Sequence, residues 1–122
     1  MQILKKHYND LKIIIWNVET GQAKLNLIFH TNRITSFAQL PNDNLVSASW
    51  DQYLAVWNIY TGELVKHFEG HSKPITCIIL MLNDKFLVSG SHDRELRFWN
   101  INWFNNKSYS KIVIIDNYIS YN

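Results

Sequence analysis

Apolar and polar residues alternate along most of this chain in short runs, and the runs end where Asn, Asp and Gly gather. Ile34-Thr35-Ser36-Phe37-Ala38 and Ile75-Thr76-Cys77-Ile78-Ile79-Leu80 are rich in β-branched side chains. Each leads into a turn signal, at Pro41-Asn42-Asp43-Asn44 and at Asn83-Asp84-Lys85. Leu45–Ser49 and Phe86–Ser91 follow. Asp51-Gln52 and Asp93-Arg94 then offer tight turns ahead of Tyr53–Ile59 and Glu95–Ile101. Thr61-Gly62 precedes Leu64–Phe68, and Lys24–Phe29 and Lys111–Ile115 complete the set. Runs of this kind between turn formers predict antiparallel strands. No apolar stripe of helical period competes with them.

The pattern also repeats. Asp10-x5-Trp16-Asn17, Asp51-x5-Trp57-Asn58 and Asp93-x5-Trp99-Asn100 keep one spacing, with offsets of 41 and 42 residues between the tryptophans. Self-similarity at such a period marks a repeat architecture. Two copies align over most of their length. Leu45-Val46-Ser47-Ala48-Ser49-Trp50-Asp51 matches Leu87-Val88-Ser89-Gly90-Ser91-His92-Asp93, and His30 matches Gly70-His71. These residues resemble the WD40 repeat family, in which Trp-Asn is a common variant of Trp-Asp.

The resemblance implies an all-β fold of antiparallel four-stranded blades of a β-propeller, here an open arc of two to three blades. The expected divisions are a partial blade over 1–29, a blade over 30–69, a blade with a divergent last strand over 70–116 and a tail over 117–122. Asp10, Trp16, Thr20 and Gly21 match the repeat, but Lys6 stands at the serine offset, so the first blade is expected to lack its polar network. Trp103-Phe104-Asn105-Asn106-Lys107 replaces the glycine turn expected after Asn100.

The resemblance further implies a buried hydrogen-bond tetrad in each complete blade, His30, Ser47, Asp51 and Trp57 in one and His71, Ser89, Asp93 and Trp99 in the other. The chemistry is coherent. An indole only donates, a serine hydroxyl accepts and donates, and a neutral imidazole does both. Ser49 and Ser91 are alternatives for the serine role, with the short hairpin favouring Ser47 and Ser89. Histidines that look functional thus have a structural explanation, weaker at His30, where Phe29 replaces the glycine.

In this family the tetrad-bearing loops gather on one rim. The residues ahead of the turn aspartates are Asn9, Trp50 and His92, and the loops after the histidines carry Asn32, Arg33, Ser72 and Lys73. Trp50, His92, Arg33 and Lys73 are the candidate partner-binding residues. Trp50 leads, because aromatic side chains anchor interfaces. Packing on the neighbouring blade explains Trp50 equally well.

Other signals narrow the function classes. Ser91-His92-Asp93 spells a triad, yet neighbours on a strand point to opposite faces, and triads are defined by geometry. His67 and His71 have a metal-like spacing, but Cys77 is the sole cysteine and reads as a small core residue. Glycines 21, 62, 70 and 90 form no phosphate loop. No catalytic residue, metal or cofactor is expected. A net charge of +2 disfavours nucleic acid as partner. Asn106-Lys107-Ser108 is a glycosylation sequon, meaningful only in a secreted chain. The start of the chain carries no apolar signal segment. No run approaches the ~18 apolar residues of a membrane span. An intracellular location, the cytoplasm first, is expected.

Apolar residues make up 47% of the chain, more than a small arc of blades hides. Membership of a longer protein, self-association into a ring, or docking onto another propeller would each cover the open faces. The expected function is a non-catalytic protein–protein interaction scaffold. The alternatives are a segment of a larger kinase or NTPase-linked sensor, and a degenerate repeat fragment.

Overall fold

The computed structural model describes residues 2–6, 11–41, 43–81, 85–100 and 110–114, the first and last of these stretches as backbone only. These residues form eleven strands and, among them, no helix: β1 Gln2–Lys6, β2 Lys12–Asn17, β3 Ala23–Ile28, β4 Ile34–Gln39, β5 Leu45–Ser49, β6 Leu54–Trp57, β7 Leu64–Phe68, β8 Ile75–Met81, β9 Phe86–Ser91, β10 Glu95–Asn100 and β11 Ser110–Ile114. All pair antiparallel with their sequence neighbours in three sheets, β1-β2-β3, β4-β5-β6-β7 and β8-β9-β10-β11. The sheets form no closed barrel or ring among the described residues, so the arc is a partial propeller.

Turn chemistry fixes the strand ends. The Asn17 and Asn58 side chains each accept two backbone N–H groups of the following turn, Glu19 and Thr20 in one case, Tyr60 and Thr61 in the other. Gly21 and Gly62 close these turns by donating to the carbonyls of Asn17 and Asn58, at φ of +72° and +79°, where a side chain is disfavoured. This cap ends β6 at Trp57, two residues short of the Ile59 expected from composition. The expected Asp51-Gln52 and Asp93-Arg94 turns close by Gln52 N–H to Ser49 O and Arg94 N–H to Ser91 O.

Alternation within strands sorts the core into two layers. Leu45 and Ser47 face the first sheet with Ala55 and Trp57, joining Ile13, Ile15, Leu27 and Ile34. Val46 and Ala48 face the third sheet with Leu54 and Val56, joining Leu40, Phe68, Ile75, Ile78, Leu87 and Trp99. The middle sheet is therefore buried on both faces, and all five residues of β5 are buried. Polar bonds lace the second joint. Thr35 Oγ1 donates to Ile75 O at 2.8 Å, and Ser36 Oγ accepts from Ile78 N–H at 3.2 Å.

Two sequence expectations change. Cys77 is exposed, not a core residue, because no further sheet covers its side of β8 among the described residues. In the first sheet, Lys5 rather than Lys6 pairs with Ile14, which corresponds to the pairing of Ser47 with Ala55. The register there is one residue out of step with the other hairpins, and a one-residue step exchanges the faces of every side chain. Asp10, Asn9, the divergent turn after Asn100 and the expected tail lie outside the described residues.

Candidate functional site

The rim of the arc is built from two kinds of loop. The β5–β6 and β9–β10 hairpins bring Trp50-Asp51 and His92-Asp93 there, and the β3–β4 and β7–β8 connections bring Thr31–Arg33 and Ser72–Pro74. Beneath it, the structure brings His30, Ser47, Asp51 and Trp57 together. His30 Nδ1 lies 2.8 Å from Asp51 Oδ2 and His30 Nε2 lies 2.6 Å from Ser47 Oγ, which accepts from Trp57 Nε1–H at 2.9 Å. His71, Ser89, Asp93 and Trp99 repeat the arrangement, at 2.8, 2.7 and 3.0 Å. A carboxylate only accepts and an indole only donates, which fixes the direction of transfer. Trp N–H donates to Ser Oγ, Ser O–H donates to His Nε2, and His Nδ1–H donates to Asp.

Each aspartate does more. Asp51 accepts the backbone N–H groups of Thr31 and Tyr53, and Asp93 those of Ser72 and Glu95. Burial works against these carboxylates, but the imidazole and backbone donors outweigh it, and both stay below the usual carboxylate range. Burial pushes the His71 imidazole down, with Asp93 only partly offsetting it. The neutral ring required by the hydrogen-bond chain is therefore the favoured form. Ser49 and Ser91 hold a different place. They accept the N–H of Asp51 and Asp93 and donate to the carbonyls of Asn32 and Pro74, tying hairpin to neighbouring loop.

In the first sheet, Trp16 Nε1 is buried and has no acceptor among the described residues. Serine is absent at both Lys5 and Lys6. Gly70 also has a local reason: a Cβ there would lie 2.6 Å from the Arg97 guanidinium, which is held by Glu95. In the second sheet Ala55 occupies the place of Arg97, and Phe29 that of Gly70.

Trp50 packs across the sheets, as one of its two sequence readings expects. It stays 37% exposed while Arg33 Cζ sits 4.6 Å over its ring and His92 meets it edge-on at 6.4 Å. Backbone bonds set this geometry, from Trp50 N–H to Arg33 O and from His92 N–H to Pro74 O. The cluster thus bridges the second and third sheets. Lys73 is exposed in the β7–β8 connection, and its carbonyl accepts from Ser91 Oγ–H. The Arg33–Trp50 stack has no signal in the sequence, because the two residues stand in separate loops that a backbone bond brings together.

The triad spelled by Ser91-His92-Asp93 does not assemble. Ser91 bonds backbone, His92 meets Trp50 and Asp93 holds His71. His67 packs against the Phe29 ring and meets Tyr53 edge-on, while His71 serves its tetrad. His71, Asp93 and Glu95 are close enough to share an ion, but Nδ1 of His71 and the guanidinium of Arg97 already hold the two carboxylates.

Comparison with known proteins agrees with this geometry. The profile of the WD domain, G-beta repeat matches residues 21–58 and 62–100. WD repeat-containing protein 18 of Homo sapiens is 21% identical over 104 residues, covering 75% of this chain and 24% of its own length. The small ribosomal subunit protein RACK1 of Drosophila melanogaster is 32% identical over 91 residues, covering 68% and 29%. The nuclear distribution protein nudF of Aspergillus flavus is 26% identical over 97 residues, covering 76% and 21%. The chain spans about a quarter of the length of these relatives. On the repeat matches and the blade architecture, the chain belongs to the WD40 repeat family.

Proposed function

We propose that this chain is a non-catalytic protein–protein interaction scaffold, with a partner docking on the rim around Trp50, Arg33, His92 and Lys73. The tetrads of His30, Ser47, Asp51 and Trp57 and of His71, Ser89, Asp93 and Trp99 serve as its rigid base. One observation carries the reading: a partly exposed tryptophan is clamped across two sheets by a cation and a second aromatic ring. Holding such a ring in place before binding lowers the ordering cost of an interface, and tryptophan and arginine dominate hot spots. The relatives include a ribosomal subunit protein and a transcriptional corepressor, so one framework is used in different assemblies. This favours recognition by loop side chains over chemistry common to the fold.

The test is affinity capture with the intact chain and with a Trp50→Ala, His92→Ala double variant. Loss of partners, with the strand signal in circular dichroism unchanged, is the expected result. Retention of every partner by the double variant removes the site.

A further inference from the structure

We propose that the partner taken by this rim is an acidic protein segment, an extended peptide whose carboxylates meet Lys73, Arg94 and Arg33 around the Trp50 ring. The inference rests on the reading of the rim as a docking site and adds the chemistry of what docks there.

Charge is sorted between the two ends of the strands. The β3–β4, β5–β6, β7–β8 and β9–β10 connections lie at the rim, and the β2–β3, β4–β5, β6–β7 and β8–β9 turns lie at the opposite end. In those opposite turns Glu19, Asp43 and Glu63 are exposed, against the single cation Lys85 among the described residues. The rim connections carry Arg33, Lys73 and Arg94, with Lys73 and Arg94 exposed. They also carry carboxylates, but these are already engaged. The Asp51 and Asp93 side chains are each 4% exposed. One oxygen of each accepts from an imidazole and a backbone N–H, and the other accepts the N–H of Tyr53 or Glu95. Glu69 takes the Tyr53 hydroxyl at 3.5 Å, beside a recess lined by Gln52 and Ser72. At the start of β10, Glu95 is paired with Arg97 at 3.1 Å. Around Trp50, a docking segment therefore meets cations turned outward and carboxylates turned inward.

The cations are also held in place. Lys73 and Arg94 are anchored on one residue: Ser91 Oγ–H donates to Lys73 O at 3.0 Å, and Ser91 O accepts the N–H of Arg94. Arg33 is fixed by its stack on Trp50, and His92 joins the same ring from the third sheet. Charge-assisted hydrogen bonds from lysine and arginine to carboxylate are the strong ones, and a stacked guanidinium keeps its charge at a fixed point. The exposed indole face between these cations suits the backbone or an apolar side chain of an extended segment. Nucleic acid would also satisfy the cations, but its single-stranded readers set a row of stacking aromatics along a basic groove. Among the described residues of the rim connections, Trp50 is the exposed large apolar side chain. The observations therefore favour an acidic peptide.

The test is capture from a pool of short random peptides by the intact chain, with the bound set sequenced at low and at physiological ionic strength. Enrichment of Asp and Glu is expected, with a several-fold loss of bound peptide at the higher salt, because exposed charges are screened. Lys73→Glu with Arg94→Glu is expected to abolish the acidic enrichment while circular dichroism stays unchanged. If the reversal disturbs the fold, Lys73→Gln with Arg94→Gln replaces it, with a several-fold weakening expected. Trp50→Ala with His92→Ala is expected to lose the acidic peptides as well. A bound set without acidic enrichment that this last variant loses overturns the proposal and leaves the rim standing as a docking site. An acidic set that it keeps overturns both. Capture of no peptide overturns the proposal, and so does a single-stranded oligonucleotide that binds more tightly than every captured peptide.

Discussion

Ser47 and Ser89 do the most with the fewest atoms. Each hydroxyl accepts from an indole and donates to an imidazole, both at sites closed to solvent. Ser89→Ala leaves the Trp99 N–H and His71 Nε2 unsatisfied, and an unpaired buried polar group costs about 1–3 kcal/mol. Urea unfolding is expected to show a loss at the upper end of that range. Ser91→Ala, at a part-buried turn, is expected to cost about 1 kcal/mol. Equal losses would mean that the hairpin bond matters as much as the tetrad. The tetrad residues could be named from the family resemblance because serine, aspartate and tryptophan keep one spacing in both repeats, with a single extra residue between histidine and serine in the second. The Arg33 stack on Trp50 could not, since the backbone bond behind it recurs at His92 and Pro74 but the arginine does not, Pro74 standing in its place. The burial of Cys77 was misjudged for a related reason: alternation tells which face a residue is on, not whether that face is covered.

At the scale of elements, the β7–β8 connection and β10 fit by an exchange of volume. Gly70 makes room for Arg97, and Phe29 fills the space over Ala55. Gly70→Ala is expected to force the Arg97–Glu95 pair aside and to cost about 1 kcal/mol, typical of overpacking at its mild end. In an Arg97→Ala background the same change is expected to be near neutral. A double-mutant cycle measures the difference, and additivity would show that the contact carries no strain. Strand positions were legible almost throughout, because β-branched runs and Asn/Asp turns are local signals. Leu45–Ser49, Leu64–Phe68 and Phe86–Ser91 are found where they were expected. The early end of β6 was not legible, since it rests on the Asn58 side chain turning back on its own backbone. The offset of one residue between β1 and β2 was hidden as well, because counting back from Asp10 assumes a hairpin like the others.

For the whole molecule, acid is the informative variable. His71 has a folded value below its ordinary 6.5, so the unfolded chain binds its proton first as pH falls. Stability is complete above that value and declines as pH drops through it toward the folded value. Asp51 and Asp93 lie below their ordinary 3.8, so their contribution is present above 3.8 and is lost as pH falls further. Thermal melting followed from pH 7.5 down to pH 2.5, ordinary stopping points for such a titration, is expected to show two declines, one beginning near the ordinary histidine value and one below the ordinary carboxylate value. His71→Gln should remove the first decline, and a profile flat down to the carboxylate range would show that the imidazole carries no linkage. The arc itself was legible from the period of the repeat. The joints between sheets were not, because Thr35 and Ser36 reach across them to backbone atoms, which carry no sequence signature.

The matched repeats run from 21 to 58 and from 62 to 100, so each takes in the outer strand of one sheet and the first three strands of the next. Unit of inheritance and unit of structure are therefore out of phase. A gene that gains one such unit by duplication never adds a loose sheet. The newcomer donates its first strand to the sheet behind it and waits for its own last strand from the unit ahead, so it arrives already stitched in on both sides. By the same phase, excision of a whole internal unit leaves every remaining sheet its full set of strands. This lets a lineage vary the number of units while the register within every surviving sheet is preserved.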